Sequence, residues 1–543
     1  MTHFVDHLEN IVTDAIDGTI FASNGTLTRL DGYPHIRVVM RTEIDKTKVA
    51  LVCGGGSGHE PAHAGFVGEG MLTAAVCGGI YASPSVEAVL AGIIAATGEA
   101  GCLLILKNYT GDRLNFGLAA ERARALGFKV EMVIVGDDIA LPDLAQPRGL
   151  AGTLFLHKIA GALAQAGADL ETVAAAAHRV NVGIKSLGMT LETCTVPGTV
   201  KEDRIPNTMA ELGLGIHGEP GVEQIHCPDA TSAINAIVSK LSAHMQEGQQ
   251  YVMLINNLGG TSVLEMAVIM KALKACTIAS QLSHFIGPAS MMTAIDMHGF
   301  SLSVYAADVA ELELLAAATP LNTWPGLAKI LPEQIVPVPH GLAPVTFVPS
   351  KNEPLRALLI SCCEVLLAAR DDLNTLDAKS GDGDTGTTVA GAANAIIDAI
   401  DRLPLADSAR FYQAISQELS QVMGGSSGVL LSIFFGAAGD VASDNLCTAD
   451  TMKAGLARMM EVGGAKLDDR TMVDALFPAL DALKDGVPAA AKAARVGAIR
   501  TASLTKAGAG RSSYVSAAQL EGHVDPGAEA VALLFEHLAA YGL

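Results

Sequence analysis

Apolar runs of two kinds alternate over the first third of the chain. Short runs rich in β-branched residues predict strands at Ile36–Met40, Val49–Cys53, Leu103–Leu106 and Val130–Val135. Longer runs with helical spacing predict helices at Ser85–Ala96, Asn115–Leu126 and Gly152–Ala166. Such alternation predicts an α/β fold with a parallel sheet covered by helices.

The same alternation of strand-like and helix-like runs continues from residue 183 to about residue 318. Strands are predicted at Tyr251–Ile255 and Leu302–Tyr305, and helices at Ser232–His244 and Ser262–Lys274. We therefore expect two α/β subdomains of similar construction, over residues 1–182 and 183–319.

Prolines then interrupt the pattern. Eight of the 22 prolines lie between Pro320 and Pro354, together with Trp324, the only tryptophan. Proline lacks a backbone donor and fixes φ, so at this density it continues neither a helix nor a central strand. Residues 320–354 are predicted to form a semi-extended linker.

After Pro354 the apolar positions recur with helical spacing almost throughout, and strand-like runs are nearly absent. The predicted helices cover residues 355–372, 387–402, 407–422, 428–443, 450–462, 470–484, 487–498 and 526–541. Residues 355–543 are therefore expected to form an all-helical domain.

Charge and composition narrow the functional class. The chain has 57 acidic and 36 basic residues, a formal charge of −21, which disfavours nucleic acids and anionic membrane surfaces as partners. Its start carries no signal-peptide pattern, and no apolar run approaches the ~20 residues of a membrane span. The nine scattered cysteines predict reduced thiols and a cytoplasmic protein.

Three aspartates and three glycines lie in one predicted turn between helices. Gly383 separates Asp382 from Asp384 and lets both carboxylates point to one place, and Asp377 can join them from the preceding helix. Clustered carboxylates repel one another unless a hard cation lies between them, and Mg²⁺ binds such oxygens together with phosphate. The turn therefore predicts a metal and its phosphates at a helix N-terminus.

This turn has two other interpretations. A calcium loop is excluded, because the twelfth position is Ala393 counted from Asp382 and Thr388 counted from Asp377, and neither is glutamate. A solvated turn that only caps the next helix remains open.

Glycine-rich motifs in the α/β half lie where ligands bind, at the carboxyl ends of strands. Gly54–Pro61 follows one strand, and Lys107 and Asp112 follow the next. The glycines match neither a dinucleotide fingerprint nor a P-loop. His59–His63 fits the zinc-protease pattern, but Pro61 belongs in a first helical turn, so no zinc site is expected. A packing turn with a capping histidine remains the alternative.

Further loops carry single reactive groups. His217 lies in the glycine-rich loop Gly213–Gly221, where an imidazole can be an acid, a base, a nucleophile or an ordinary loop residue. In the helical half, Gly424–Gly428 and Gly508–Ser513 suit phosphate, the latter through Arg511. Gly522–Gly527 caps the last predicted helix. Each alone is more often a cap than a ligand site, but an antiparallel bundle gathers alternate turns at one end.

Together these motifs resemble the dihydroxyacetone kinases, specifically the single-chain, ATP-dependent type, over the whole chain. Gly54–Pro61, Lys107–Asp112 and Gly215–Gly221 match the substrate-binding K domain of that family. The triple-aspartate turn and Gly424–Gly428 match its nucleotide-binding L domain, as do the Asp-Arg-Thr-Met and Asp-Pro-Gly strings.

The resemblance implies a role for each matching residue. His217 would hold the carbonyl of dihydroxyacetone or glyceraldehyde as a covalent hemiaminal, and His59 and Asp112 would act as general base and hydrogen-bond partner of the hydroxyl. Gly56, Ser57, Gly58 and Lys107 would hold substrate oxygens. Asp377, Asp382 and Asp384 would bind two Mg²⁺ ions on the phosphates of ATP. The nucleotide site would be lined by Thr385, Gly386, Thr387, Thr388, Ser426, Ser427, Arg511, Asp525, Pro526 and Gly527.

The resemblance also implies a closed barrel of antiparallel helices for the L domain, and a homodimer. It leaves two alternatives to the kinase activity. One is a metal-dependent lyase that forms FMN from FAD in the L domain, and the other is a non-catalytic triose sensor.

Overall fold

A computed structural model of the chain describes residues 3–141, 146–339, 342, 345–442 and 447–542, without the side chain of Arg511. Two compact units divide the chain, a first up to Gln334 and a second from Ile335. The first is α/β, and the second has helices but no strand among its described residues, which confirms the predicted fold class. The finer boundaries at residues 182, 319 and 354 stay predictions.

The first unit contains two sheets and eight α-helices in the described residues. The strands are β1 Leu27–Arg29, β2 Val38–Arg41, β3 Ala50–Ser57, β4 Ala74–Ile80, β5 Cys102–Lys107, β6 Val130–Val135, β7 Lys185–Thr190, β8 Met209–Leu212, β9 Glu223–His226, β10 Tyr251–Asn257, β11 Leu282–Ala289, β12 Gly299–Tyr305 and β13 Leu327–Lys329. The helices are α1 Ile11–Ala22, α2 Val86–Ala96, α3 Thr110–Ala125, α4 Thr153–Gln165, α5 Leu170–Gly183, α6 Ala230–Ser242, α7 Val263–Lys274 and α8 Val309–Ala316.

The first sheet has the order β1-β2-β4-β3-β5-β6, and its four strands from β4 to β6 are parallel, as predicted. Successive residues of β3 point to opposite faces, so Ala50 and Val52 join the core under α2 and α3. Leu51 and Cys53 join the core under α4 and α5. Both faces are thus buried, and the carboxyl ends of β3 and β5 lie side by side.

The second sheet, β13-β11-β10-β12-β7-β8-β9, does not repeat this plan. Only β10 and β11 pair in parallel, and the other neighbours are antiparallel. The expectation of similar construction is therefore wrong for residues 183–318. Its short edge strand β9 is mostly exposed and lacks an apolar run, so the periodicity gave no signal there.

The start of the predicted linker packs on the first unit. Trp324 is only 7% exposed and belongs to that unit's core, and β13 pairs with β11 through Leu327 and Ile286. Residues 331–339 contain no helix or strand. A proline-rich composition therefore did not distinguish an extended edge strand from a linker, since both avoid central hydrogen bonding.

The second unit forms a ring of helices. They are α9 Glu353–Ala368, α10 Arg370–Asp377, α11 Thr385–Ala399, α12 Ser408–Val422, α13 Gly425–Val441, α14 Thr448–Gly463, α15 Val473–Ala482, α16 Val487–Thr501, α17 Ala517–Leu520 and α18 Pro526–Tyr541. From α11 to α16 each helix packs on the next, α16 packs on α18, and α18 packs on α9, which contacts α11. Short connections make such neighbours antiparallel, so a closed barrel is observed as implied.

Truncation of Trp324 tests the packing of the linker's first part. We expect Trp324→Ala to lower the free energy of unfolding of the first unit by about 3 kcal/mol, because a large buried side chain is lost. Urea unfolding followed by circular dichroism measures the change. Leu331→Ala, at a 70% exposed position of the same segment, is the matched control, and equal effects of the two changes would contradict the packing.

Candidate functional site

The carboxyl end of β3 supplies the first half of the site. The strand ends in Gly54–Ser57, and the chain then turns through His59 rather than entering a helix. The His59 ring is fully buried and lies 4.9 Å from that of His217 and 5.2 Å from that of Tyr81, between centroids. The structure therefore brings together two histidines that are 158 positions apart in the sequence.

The hydrogen bonds of His59 fix its tautomer. Its Nδ1 lies 2.8 Å from the carbonyl oxygen of Thr293, which can only accept, so Nδ1 carries the proton. Nε2 is then unprotonated, and it has no hydrogen-bond partner among the described residues. Burial, and then the charges of Lys107 and His217, lower the pKa of His59 well below its usual value. His59 is therefore a neutral ring with a free basic nitrogen.

Lys107 and Asp112 form a buried pair of opposite charges beside this ring. Lys107 ends β5, and Asp112 lies in the first turn of α3, where the helix N-terminus favours a carboxylate. Burial lowers the pKa of Lys107 and raises that of Asp112, and each charge opposes the shift of the other. Ser83 donates a hydrogen bond to Asp112 Oδ1.

Gly55 keeps the space between these charges open. A Cβ atom there would lie 3.5 Å from Lys107 Nζ and 3.4 Å from Asp112 Oδ2, so any side chain would occupy the place where both groups point. Its φ of +147° also favours glycine. An ammonium and a carboxylate that meet over one glycine can bind a hydroxyl through both its oxygen and its proton.

His217 is oriented by Glu219. The backbone N–H of His217 donates to Glu219 Oε2 at 2.9 Å, and its Nδ1 lies 3.5 Å from Oε1. Burial acts to raise the pKa of Glu219, but His217 outweighs it and lowers that pKa to about 2. Gly215 permits this approach, since a Cβ there would come within 2.3 Å of the carboxylate. Glu219 thus lies on the Nδ1 side of the ring, and Nε2 is the ring nitrogen on the side away from this carboxylate.

The remaining residues predicted to contact substrate lie in the same loop. Gly56 packs so closely on Tyr81 that a Cβ would lie 2.8 Å from its backbone. Ser57 donates its hydroxyl to the carbonyl of Gly78 at 3.0 Å, and Gly58 donates its N–H to Glu60 at 2.9 Å. Their binding of substrate oxygens stays a prediction.

The zinc-protease pattern does not form a site. The ring of His59 faces His217, whereas that of His63 faces His157 at 5.2 Å. The structure does bring the ligand-capable atoms of Cys53, His63 and His157 within 4.8 Å of one another. Their separation by 10 and 94 positions gives no recognisable spacing, so the sequence offered no signal for this cluster.

The three aspartates of the second unit converge as predicted. Asp377 ends α10, Asp384 precedes α11, and carboxylate oxygens of both lie within 4.8 Å of one another and of Asp382. Asp377 is buried, and its Oδ2 accepts the N–H groups of Asp384 and Thr385 at 2.9 and 3.1 Å. The start of α11 thus holds the Asp377 side chain in place.

The donor set fits magnesium. All three groups offer the hard oxygen ligands that Mg²⁺ takes in proteins. Among the described residues, no cysteine or histidine belongs to this cluster. A Cβ at Gly381 would lie 2.3 Å from Asp377 Oδ1, so this position admits only glycine without displacing a ligand. Two carboxylates that are exposed leave room for phosphate oxygens and water to complete the coordination.

The residues predicted to bind nucleotide lie at helix N-termini. Thr385–Thr388 form the first turn of α11, and Ser426 and Ser427 lie in the first turn of α13. These two helices are separated by one antiparallel neighbour in the ring, so their N-termini lie at the same end. Asn374 accepts the N–H of Thr387 at 3.0 Å and donates to its hydroxyl at 2.9 Å.

The start of α18 reaches the same end of the barrel. Asp525 caps this helix by accepting the N–H of Ala528 at 2.8 Å, and Pro526 and Gly527 follow in its first turn. Burial raises the pKa of Asp525 to about 6, against the Ala528 bond and the charge of Arg470. Ser512 donates to the carbonyl of Ser380 at 3.2 Å and joins the segment after α16 to the aspartate turn. Arg511 precedes it, but its side chain lies outside the described structure.

Several residues of the site were missed by the sequence analysis. Ser83, Glu219 and Thr293 orient Asp112, His217 and His59, and Arg470 donates to the carbonyl of His523 at 2.7 Å beside Asp525. Glu219 lay inside a quoted motif and was recognisable as a carboxylate two residues after a histidine. Ser83 and Thr293 carry no local signal, because their partners are distant in the chain.

Two further features concern the chain as a whole. All nine cysteines are free in the structure, and their reduced state stays a prediction. No helix in the described ranges has the length and apolarity needed to cross a bilayer.

Comparison with known proteins agrees with this geometry. Residues 17–322 match the Dak1 domain and residues 379–540 match the DAK2 domain. The dihydroxyacetone kinase of Citrobacter freundii is 48% identical over 549 residues, which cover 99% of this chain and 98% of that protein. A triokinase/FMN cyclase of Homo sapiens is 40% identical over 570 residues, with 98% and 97% covered.

A solved structure extends the match to three dimensions. The dihydroxyacetone kinase of C. freundii in complex with AMP-PNP and Mg²⁺ superposes with a TM-score of 0.69 at 45% identity, and 99% of each chain is covered. The resemblance seen in the motifs is confirmed by domain content, identity and fold. This chain therefore belongs to the dihydroxyacetone kinase family, as a single polypeptide that joins a Dak1 domain to a DAK2 domain.

Proposed function

We propose that the protein transfers the γ-phosphate of ATP to a hydroxyl of dihydroxyacetone, and also of glyceraldehyde. The observation that carries this proposal is the convergence of His59, Asp112 and His217 on one space at the end of β3. The 48% identical relative from C. freundii is a dihydroxyacetone kinase, and its structure was solved with an ATP analogue and Mg²⁺.

His217 would hold the substrate covalently. Its Nε2 lone pair adds to the carbonyl carbon, and the carbonyl oxygen takes up a proton while Nδ1 gives one up toward Glu219, so the charge balances. The product is a hemiaminal, formed without loss of water. Glycerol has no carbonyl group to accept the nitrogen, so this step selects short ketones and aldehydes.

His59 would then serve as the general base for phosphoryl transfer. Its unprotonated Nε2 can accept the proton of the attacking hydroxyl, a contribution of typically 10²–10⁴-fold in rate. Asp112, held by Ser83, and Lys107 would fix that hydroxyl by accepting and donating hydrogen bonds. Positioning of this kind is most of what phosphoryl transfer asks of a protein.

Asp377, Asp382 and Asp384 would hold two Mg²⁺ ions against the phosphates of ATP. Bound magnesium supplies the charge neutralisation that phosphoryl transfer requires. The protein's part is to orient the ligands through the N–H groups at the start of α11, and to offer the first turns of α11, α13 and α18 to the nucleotide.

FMN formation from FAD is a second candidate, because the human relative at 40% identity is a triokinase/FMN cyclase. It would use the aspartate turn and not His217. A non-catalytic sensor is disfavoured by the intact set of three converging carboxylates. A homodimer and a cytoplasmic location remain part of the proposal.

Removal of the nucleophile should abolish the kinase activity. We expect His217→Ala to eliminate ADP release with dihydroxyacetone, because the proposed hemiaminal forms on this side chain. A coupled assay for ADP measures the loss, and glycerol in place of dihydroxyacetone is the control substrate. Intact-protein mass spectrometry should show wild type, and not the variant, carrying one triose without loss of water. Retained turnover in the variant would contradict the covalent role of His217. FMN formed by the same variant from FAD and Mn²⁺ would establish the second activity.

Loss of a metal ligand should abolish nucleotide binding instead. We expect Asp384→Ala to remove Mg²⁺-dependent binding of ATP in calorimetry, because one of three converging ligands is lost. Asp372→Ala, an exposed carboxylate on α10, should bind as wild type does. His217→Ala should also retain ATP binding, and equal binding by Asp384→Ala would argue against the metal site.

The pH dependence of turnover tests the state of His59. Its pKa lies below the usual histidine value, so the ring stays unprotonated as the pH falls through 6.5. We expect kcat at saturating dihydroxyacetone, where His217 is occupied, to show no loss near pH 6.5. His59→Gln should lower kcat about 10²–10⁴-fold. A loss of kcat in wild type centred on pH 6.5 would show that the base titrates as an ordinary histidine.

A further inference from the structure

A buried cluster connects the Lys107 amine to two histidines that the proposed mechanism does not use. Lys107 Nζ lies 2.8 Å from His63 Nε2, and the ring of His63 packs edge-on against that of His157 at 5.2 Å. Lys107 is 1% exposed, His63 is 5% and His157 is 0%. Groups this deeply buried, directly beside a proposed substrate contact, act on the electrostatics of that contact.

The chemistry of the 2.8 Å contact fixes its direction. An ammonium can only donate, so His63 Nε2 accepts, and the proton of the neutral ring lies on Nδ1. That Nδ1 and both nitrogens of His157 have no hydrogen-bond partner among the described residues. Burial, and then the charge of Lys107, lower the pKa values of both histidines, so both remain neutral.

A metal ion is the other occupant to consider, because Cys53 completes a group of three ligand-capable side chains. A metal cation bound there would have to share His63 with the buried Lys107 ammonium, and no carboxylate belongs to this group of three side chains. Burial also raises the pKa of Cys53 to about 12, which opposes the thiolate that a metal requires. The hydrogen-bonded arrangement therefore accounts for the cluster better than a metal does.

We propose that His63 is a positioning residue for Lys107, which accepts a hydrogen bond from the amine, keeps it protonated and aims it at the space over Gly55. This inference rests on the proposed function, in which Lys107 holds a substrate oxygen. His157 fills the space next to His63 with a second neutral ring. A charged residue at either position would repel the amine or draw it away from the substrate.

Both acidic side chains and histidines surround the Lys107 amine. The titratable groups that act on it come from β3 and its following loop, from α3, from the segment after β6 and from α4, and they are Cys53, His59, Glu60, His63, Asp112, Asp137 and His157. Asp112 stabilises the ammonium by charge, and His63 accepts a hydrogen bond from it. Replacing His63 with an apolar residue therefore removes a defined stabilisation of the charged form, and Lys107 should lose its proton at lower pH.

The test is the pH profile of kcat/KM for dihydroxyacetone in the full chain. We expect His63→Leu to move the alkaline limb to lower pH by about one unit and to raise KM, because one hydrogen bond to the ammonium is lost. His63→Gln should restore the wild-type limb, since an amide oxygen can accept from Lys107. A purely structural role for His63 would lower activity equally in both variants without moving the limb, and that result overturns the proposal.

A second measurement does not depend on turnover. Nitrogen-15 spectra of histidine-labelled protein, assigned by difference from His63→Gln, should show His63 as the neutral tautomer with its proton on Nδ1. A proton on Nε2, or a charged ring at neutral pH, overturns the proposal. If wild type fails to phosphorylate dihydroxyacetone, the proposed function falls, and these spectra still decide whether His63 accepts from Lys107.

Cys53→Ala separates the metal alternative. We expect the purified wild-type protein to contain no stoichiometric zinc by elemental analysis, and Cys53→Ala to keep the wild-type pH profile. One equivalent of zinc that is lost in Cys53→Ala would show that the cluster binds a metal, and would overturn the positioning role.

Discussion

The burial of the Lys107 ammonium and the Asp112 carboxylate over Gly55 is the constraint on which the α/β site depends. Burying either charge alone costs far more than burying the two together, so each residue requires the other in place. Their approach requires β3 and β5 to be parallel neighbours and α3 to begin three residues after β5 ends. The topology of the first sheet is therefore also what holds the proposed substrate-binding groups in register.

The two units prepare their chemistry by different means. In the first, side chains orient side chains: Ser83 holds Asp112, and Glu219 holds His217. In the second, the backbone does most of this work, because the N–H groups at the start of α11 hold Asp377. Both arrangements set dipoles and charges before the substrate arrives, which is the main source of electrostatic stabilisation in enzymes.

The sequence predicted features whose parts lie close together in the chain. The aspartate turn spans eight residues, and Gly54–Pro61 and Lys107–Asp112 each include the carboxyl end of a buried strand. For such motifs the local turn already determines where the side chains meet, so their place at strand and helix ends could be predicted.

Features that depend on long-range packing could not be predicted from the sequence. Thr293 reaches His59 from 234 positions away, and His157 meets His63 from 94 positions away, so no spacing records either contact. The antiparallel pairing of the second sheet was not predicted for a related reason. A single strand's periodicity reports which residues are buried and not which neighbour lies beside it.

Closure of the helical ring has a consequence for how the second unit assembles. The contact between α9 and α18 joins the earliest and latest long helices of the ring in chain order, so the ring can close only after α18 has been synthesised. Asp525 arrives with that same helix. The proposed nucleotide site and the parts of the hydrophobic interior that include Val531 and Phe535 therefore receive their last side chains only when α18 has been made.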